Sequence, residues 1–198
     1  MRPPGWPAAS AALLLGLGFG LLAAAPAKPD HQALAGRCEA KIIQLKSQHP
    51  PSTIRVTEDE VNAYIAVHRE QLFHSAARDV RVRLEKDRVH ARVTADLARA
   101  KIKLESPLHR AFVWILSGEH RYEAQIHFRS DKGVGRYRVE QLKVDGMTVP
   151  DSLAAFLAGQ AGRLNQPPMP PDKDFPLPYH LRRCEVQPKA FVCYPHPR

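Results

Sequence analysis

Acidic residues and cysteines are scarce in this sequence, and no apolar run reaches the ~20 residues that a membrane-spanning helix needs. Twenty Asp plus Glu stand against 29 Lys plus Arg in 198 residues, and only three positions are Cys. Signatures of catalysis are missing too. There is no Gly-x-Ser-x-Gly elbow, no His-Glu-x-x-His and no Cys/His cluster. Gly133-Val134-Gly135 lacks the third glycine and the following helix of a phosphate cradle, and reads as a hairpin loop. The ten histidines are scattered. The closest pairs, His68 with His74 and His120 with His127, do not match a metal-ligand spacing, and His90 and His127 fall on the polar side of strand patterns. Ser117-Gly118 and Ser130-Asp131 read as a helix end and a turn. No catalytic residue, metal ligand or cofactor is therefore expected, and a hydrolase would have to be of an unrecognised kind.

The N-terminus carries what the rest lacks. Residues 1–27 open with Arg2, run through an apolar block at 11–25 and end in the small-residue pattern Ala25-Pro26-Ala27, the composition of a secretory signal segment. Cleavage leaves one domain of residues 28–198. An uncleaved segment would leave the same domain outside the membrane but tethered. Both readings place it in the periplasm or the extracellular space, where cytosolic nucleic acid is not a partner. Arg37 directly before Cys38 argues against lipidation there, since a lipobox has a small residue at that place. Removing residues 1–27 takes one base, Arg2, and no acid, so the formal charge drops from +9 to +8. An excess of base on an exported domain suits an anionic membrane surface, a cell-wall polymer or plain solubility.

Periodicity then divides the domain. Leu34, Cys38, Ile42 and Leu45 share one helical face within residues 31–47, and His49-Pro50-Pro51 stops that helix. Thr57 and Glu60 have the spacing of a capping box, and Val61, Tyr64, Ile65, His68 and Leu72 form the stripe of the helix it opens. That box also accounts for Glu58 and Glu60, whose spacing therefore gives no reason to read a catalytic acid pair. From Asp79 the period becomes two. Val80, Val82 and Leu84, then Val89, Ala91, Val93 and Ala95, alternate with polar residues as a hairpin. The pattern slips at Leu97-Ala98 and resumes with Ala100, Ile102 and Leu104, and Ser106-Pro107 and Gly118 bracket a short helix at 108–117 with Leu108, Phe112, Ile115 and Leu116 on one side and Trp114 beside them. A second strand pair follows, with Tyr122, Ala124, Ile126 and Phe128 on one face, a loop at 130–135, and a return strand whose phase change needs a bulge near Glu140-Gln141. Leu153, Phe156 and Leu157 mark a last helix, a proline-rich run at 167–178 reads as an extended connector, and 181–186 with 191–194 reads as a closing hairpin. The fold class is α+β: a single domain with a curved, mainly antiparallel sheet packed around or against short helices.

In an oxidising compartment three cysteines leave one bridge and one remainder. A turn centred on Pro188-Lys189 sets Cys184 opposite Cys193 at a closely spaced, non-hydrogen-bonded position, which suits a disulfide. Pro188 opposes the primed two-residue turns that usually give this register. Cys38 is left free, buried or paired between molecules.

The succession Thr57-Glu58-Asp59-Glu60-Val61-Asn62-Ala63-Tyr64, then Val144-Asp145-Gly146-Met147-Thr148-Val149-Pro150 leading into residues 153–157, then Phe175-Pro176-Leu177-Pro178 before the last hairpin, is similar to LmeA-like exported proteins and, more loosely, to the tubular lipid-binding superfamily. The resemblance spans most of residues 28–198 and rests on short structural motifs. It implies a long curved antiparallel sheet around a helix, with an apolar groove for acyl chains, and it carries over no ligand residue. Candidate lining residues are Val82, Val93, Ile126, Phe128, Val139 and Phe156, which would serve equally as ordinary core. The expectation is an exported, non-catalytic domain that binds a lipid or other apolar ligand, in envelope maintenance. Its rivals are an interaction module with a filled core and an unrecognised hydrolase.

Overall fold

The computed structural model describes residues 29–73, 77–96, 118–163 and 168–196. In chain order they form α1 (Pro29–Lys46), β1 (Ile54–Thr57), α2 (Glu58–Phe73), β2 (Ala77–Glu85), β3 (Arg88–Ala95), β4 (His120–Asp131), β5 (Val134–Val144), β6 (Met147–Thr148), α3 (Asp151–Arg163), β7 (Phe175–Pro176), a 3-10 turn (Pro178–His180), β8 (Leu181–Gln187) and β9 (Ala190–Pro195). The result is a single α+β domain, and every strand pairing among the described residues is antiparallel. The segment at 1–27, the slip at Leu97-Ala98 with Ala100, Ile102 and Leu104, and the expected helix at 108–117 lie outside the described residues.

The two N-terminal helices form as their patterns predict. Ala35, Cys38, Ile42 and Leu45 are the buried stripe of α1. At the start of α2 the capping box closes in both directions: the Glu60 amide donates to Thr57 Oγ1 at 3.3 Å, and the Thr57 amide donates to Glu60 Oε2 at 2.8 Å. Lys41 of α1 adds a bond of 2.7 Å to each Glu60 oxygen, so one carboxylate both caps α2 and ties it to α1. Burial pushes the Glu60 carboxyl up, but the Lys41 ammonium and the Thr57 bonds outweigh it and hold the group below the usual carboxylate range.

Helix α2 also closes the free edge of the larger sheet, whose strand order is β2-β3-β4-β5-β6. Asn62 Oδ1 accepts from the Val82 amide at 2.8 Å, its Nδ2 donates to the Val82 carbonyl at 2.7 Å, and Glu58 Oε2 accepts from the Leu84 amide at 2.6 Å. The Lys189 amide donates to the Leu84 carbonyl at 2.9 Å. Side chains thus take the place of a further strand along β2, which removes the exposed edge that invites strand pairing between molecules.

Strand β7 pairs with β5 as the sixth strand of the larger sheet, and the other three strands make a separate sheet in the order β1-β9-β8. Its outer edge, β8, abuts the hairpin ends of the larger sheet: the Arg182 carbonyl accepts from Gly133, the Val186 carbonyl from Asp87, and the Cys184 amide and carbonyl both engage Ser130 Oγ at 2.7 Å. The single sheet expected from alternation is therefore two, divided where hairpin tips rather than a strand meet β8. The loop expected at 130–135 tightens to the two residues Lys132 and Gly133, and Asp145-Gly146 makes the next turn, each with positive φ at both central residues. This is the type I′ pattern, whose twist matches that of paired strands.

Two bulges bend the larger sheet. Ile126 pairs with Val139 but Gln125 with Gln141, which leaves Glu140 as the extra residue where the phase change demanded one. The second lies between Arg78 and Arg81, where Asp79 takes φ 49°. The proline-rich run is extended, and it also contributes to the core. Met169, Phe175 and Leu177 are buried, and Gly135 must be glycine because a Cβ there would lie 2.7 Å from the Phe175 ring. Tyr137 fastens the run by donating to the Met169 carbonyl at 2.8 Å.

Candidate functional site

Register sorts the side chains of the larger sheet into rows that cross the strands. On one face run Val82, Ala91, Ala124 and Leu142, then Leu84, Val89, Ile126 and Val139, with Val93, Tyr122 and Val144 on the far side and Phe128 beside Tyr137 on the near side. This inner face is apolar. Helix α2 packs on β2 and α3 on β5, while α1 packs on α2 and β1. Ile126, Phe128 and Val139 are neighbours on β4 and β5, and Phe156 lies on α3; all four are partly buried against the core. Val82 and Val93 sit apart from them, on β2 and β3, and are only 3% and 4% exposed. Of the six candidate lining residues, the structure brings three together in one patch, adds Phe156 from the helix on β5, and places two within the buried core.

Two hydroxyls interrupt the inner face: that of Tyr137 is bonded to the Met169 carbonyl, and that of Tyr122 is not bonded to any described residue. Tyr122 is 5% exposed, and its hydroxyl has no hydrogen-bond partner among the described residues. Burial pushes this hydroxyl up, with Asp145 and Asp96 adding to the shift, so it stays a protonated donor.

The opposite face of the same strands is charged. One row holds Arg81, Arg92, Glu123 and Lys143, and the next holds Arg83, His90, Gln125 and Gln141. These eight side chains line an open depression of about 490 Å³. Arg92 Nε is 3.0 Å from Glu123 Oε1, and Glu85 at the rim pairs with Arg83 and lies 3.0 Å from His90 Nε2. Those two bonds, His90 first, hold the Glu85 carboxyl below its usual range. Arg88 does the same to Glu140, which also accepts from Gln125. Sequence reasoning treated these residues only as the solvated side of strands. The signal was the run of cations at alternate positions, and its meaning required the register.

The cysteines occupy two environments. Cys184 and Cys193 are directly paired, with thiol sulfurs 2.7 Å apart. Because the Cys184 amide and carbonyl both turn to Ser130, the pair is non-hydrogen-bonded across β8 and β9, the closely spaced kind. Pro188 is accommodated because Lys189 takes φ 61°, the positive second position of a type II turn. Cys38 is wholly buried in α1, and burial, with Glu60 nearby, pushes its thiol up to about 12. It is a protonated core residue at neutral pH, not a nucleophile.

Among the described residues no group of three His, Cys, Asp or Glu could hold a metal ion, and no helix is long and apolar enough to cross a membrane. His120 Nδ1 instead lies 2.6 Å from Asp145 Oδ2. No family model, curated protein or solved structure matches the chain.

Proposed function

We propose that this chain is an exported, non-catalytic domain that binds an acyl chain or similar apolar ligand against the inner face of the six-stranded sheet, in maintenance of a cell envelope. The observation that carries this reading is the packing of α2 on β2 and of α3 on β5, with Ile126, Phe128 and Val139 of the inner face and Phe156 of α3 only partly buried. A buried donor on that face, the Tyr122 hydroxyl, suits the ester or carboxyl oxygen of an amphiphile. Burial of about 12 methylenes would contribute about 10 kcal/mol before ordering costs. Export follows from the composition of residues 1–27. In that compartment Cys184 and Cys193 form the one disulfide and Cys38 remains the buried thiol.

The deep burial of Val82 and Val93 favours a second reading, an interaction module whose core is filled by its own side chains. Native mass spectrometry of the purified domain, followed by solvent extraction and by incubation with phospholipid and free fatty acid, separates the two. Lipid-binding predicts a bound mass of lipid size, lost on extraction and regained on incubation. Repeated recovery of a ligand-free protein that also refuses added lipid would overturn it in favour of the filled module.

A further inference from the structure

The charged face of the larger sheet has no part in lipid burial, and its arrangement is not that of a simple solvated surface. Four permanent cations, Arg81, Arg83, Arg92 and Lys143, share the depression with one carboxylate, Glu123. Arg92 holds Glu123 and Arg83 pairs with Glu85 at the rim, whereas Arg81 and Lys143 make no ion pair among the described residues. These two stand at opposite ends of one row, three strand spacings or roughly 14 Å apart. Arg81 is also directly opposite Arg92, a like-charge pairing that destabilises a sheet unless an anion lies between the two. Gln125 faces Gln141 across β4 and β5, so amide donors and acceptors complete the second row.

We infer that this depression is a binding site for an anionic saccharide: one or two hydroxyl-bearing rings that carry phosphate or carboxylate groups. Arg81 and Lys143 take the anionic groups, Arg92 supports Arg81, and Gln125, Gln141, His90 and Glu123 exchange hydrogen bonds with the hydroxyls. The size agrees, since the row spans about the length of a disaccharide and the volume of about 490 Å³ lies within the range of small-molecule sites. Single-stranded nucleic acid is disfavoured because no Phe, Tyr or Trp lines the site as a platform for successive bases. The site is on the reverse of the strands that carry the lipid proposal, so each proposal can fail alone.

The test titrates the full-length protein with tetragalacturonate, inositol monophosphate, neutral maltotetraose and inorganic phosphate, and separately with phosphatidylcholine vesicles containing phosphatidylinositol. Tetragalacturonate or inositol monophosphate should bind better than maltotetraose and inorganic phosphate, and more weakly as ionic strength rises from about 0.05 to about 0.2 M. The double variant Arg81→Gln/Lys143→Gln should weaken that binding roughly tenfold or more, with an unchanged circular dichroism spectrum. Arg55→Gln, on the other sheet, should leave binding unaltered. Soluble probes that bind alone point to a free glycan, and vesicles that bind as well point to a lipid headgroup; both agree with the site. Equal binding of maltotetraose, no binding of any soluble probe, binding by vesicles alone, or full affinity in the double variant would each overturn it.

Discussion

Asn62 carries more of this fold than an ordinary helix-surface amide. Its Oδ1 and Nδ2 engage the amide and carbonyl of Val82 at 2.8 and 2.7 Å, and Nδ2 reaches the Glu58 carbonyl at 3.0 Å. Asn62→Ala would remove both bonds to β2 and leave two backbone groups at a part-buried edge without partners. Each lost bond costs about 0.5–1.5 kcal/mol net, and each stranded group about 1–3 kcal/mol where water cannot reach it. The expected loss is about 2–4 kcal/mol, which lowers Tm by roughly 5–15 °C for a domain of this size. Urea denaturation should show a lower midpoint at constant slope. Asn62→Asp sharpens the test. The carboxylate can still accept from Val82 but points a charge at two carbonyl oxygens, so its pKa rises in the folded state. The deficit relative to wild type should therefore be largest at neutral pH, shrink as pH falls through the raised folded-state value, where the protonated acid regains a donor, and level off below the unfolded value of about 3.9. A cost below about 0.5 kcal/mol for Asn62→Ala, or an Asn62→Asp deficit independent of pH, would refute the idea that side chains replace a strand along β2.

Glu60 has a folded pKa below its unfolded value, so its contribution is present above about pH 4.3 and is lost as pH falls through the lower folded value; Glu60→Gln should lower stability at neutral pH and flatten the acid limb of a Tm-versus-pH curve. Tyr122→Phe removes a buried hydroxyl without a partner among the described residues, and should leave the ligand-free protein equal or more stable by up to about 1 kcal/mol in thermal unfolding, while weakening uptake of fatty acid. A Cys184–Cys193 bridge would close a loop of about 10 residues, so thiol titration of oxidised, unfolded protein should count one free cysteine, and Cys184→Ser should cost roughly 2–3 kcal/mol under oxidising conditions but much less in reductant.

What the sequence made legible is local. The Thr57–Glu60 box, the α1 stripe, the hairpin periods and the extra residue at Glu140 depend on neighbours within a few positions, and each is found where the pattern placed it. What stayed hidden depends on distant partners. Ile54–Thr57 is a four-residue stretch that becomes a strand only because β9 is there to pair with it. The two sheets meet through Ser130 on Cys184 and through the Gly133 and Asp87 amides on β8, contacts that no alternation pattern encodes. Alternation likewise says which face Val82 and Ile126 take but not that one is fully buried and the other partly covered. The cationic array escaped notice for the same reason: Arg81 and Lys143 share a row only through two intervening strands.

Glu140 offers a way to ask whether curvature or composition makes the charged depression. Without that residue the return strand would read Val139, Gln141, Leu142, Lys143, Val144, an unbroken alternation in which Val139, Leu142 and Val144 stay inside and Gln141 and Lys143 stay outside. Deleting Glu140 therefore conserves both faces and every flanking pair, from Ile126 with Val139 to Ala124 with Leu142, and removes only the bulge. The side-chain loss is small, since the Arg88 ion pair and the Gln125 bond of Glu140 are exposed and such contacts contribute under about 1 kcal/mol. The variant should fold with nearly native stability and a straighter β4–β5 ribbon, because bulges add local twist and bend. If the depression depends on that bend, tetragalacturonate binding should fall although Arg81, Lys143, Gln125 and Gln141 are all still present. Undiminished affinity in a folded deletion variant would mean that charge alone selects the ligand and that the bulge serves the inner face instead.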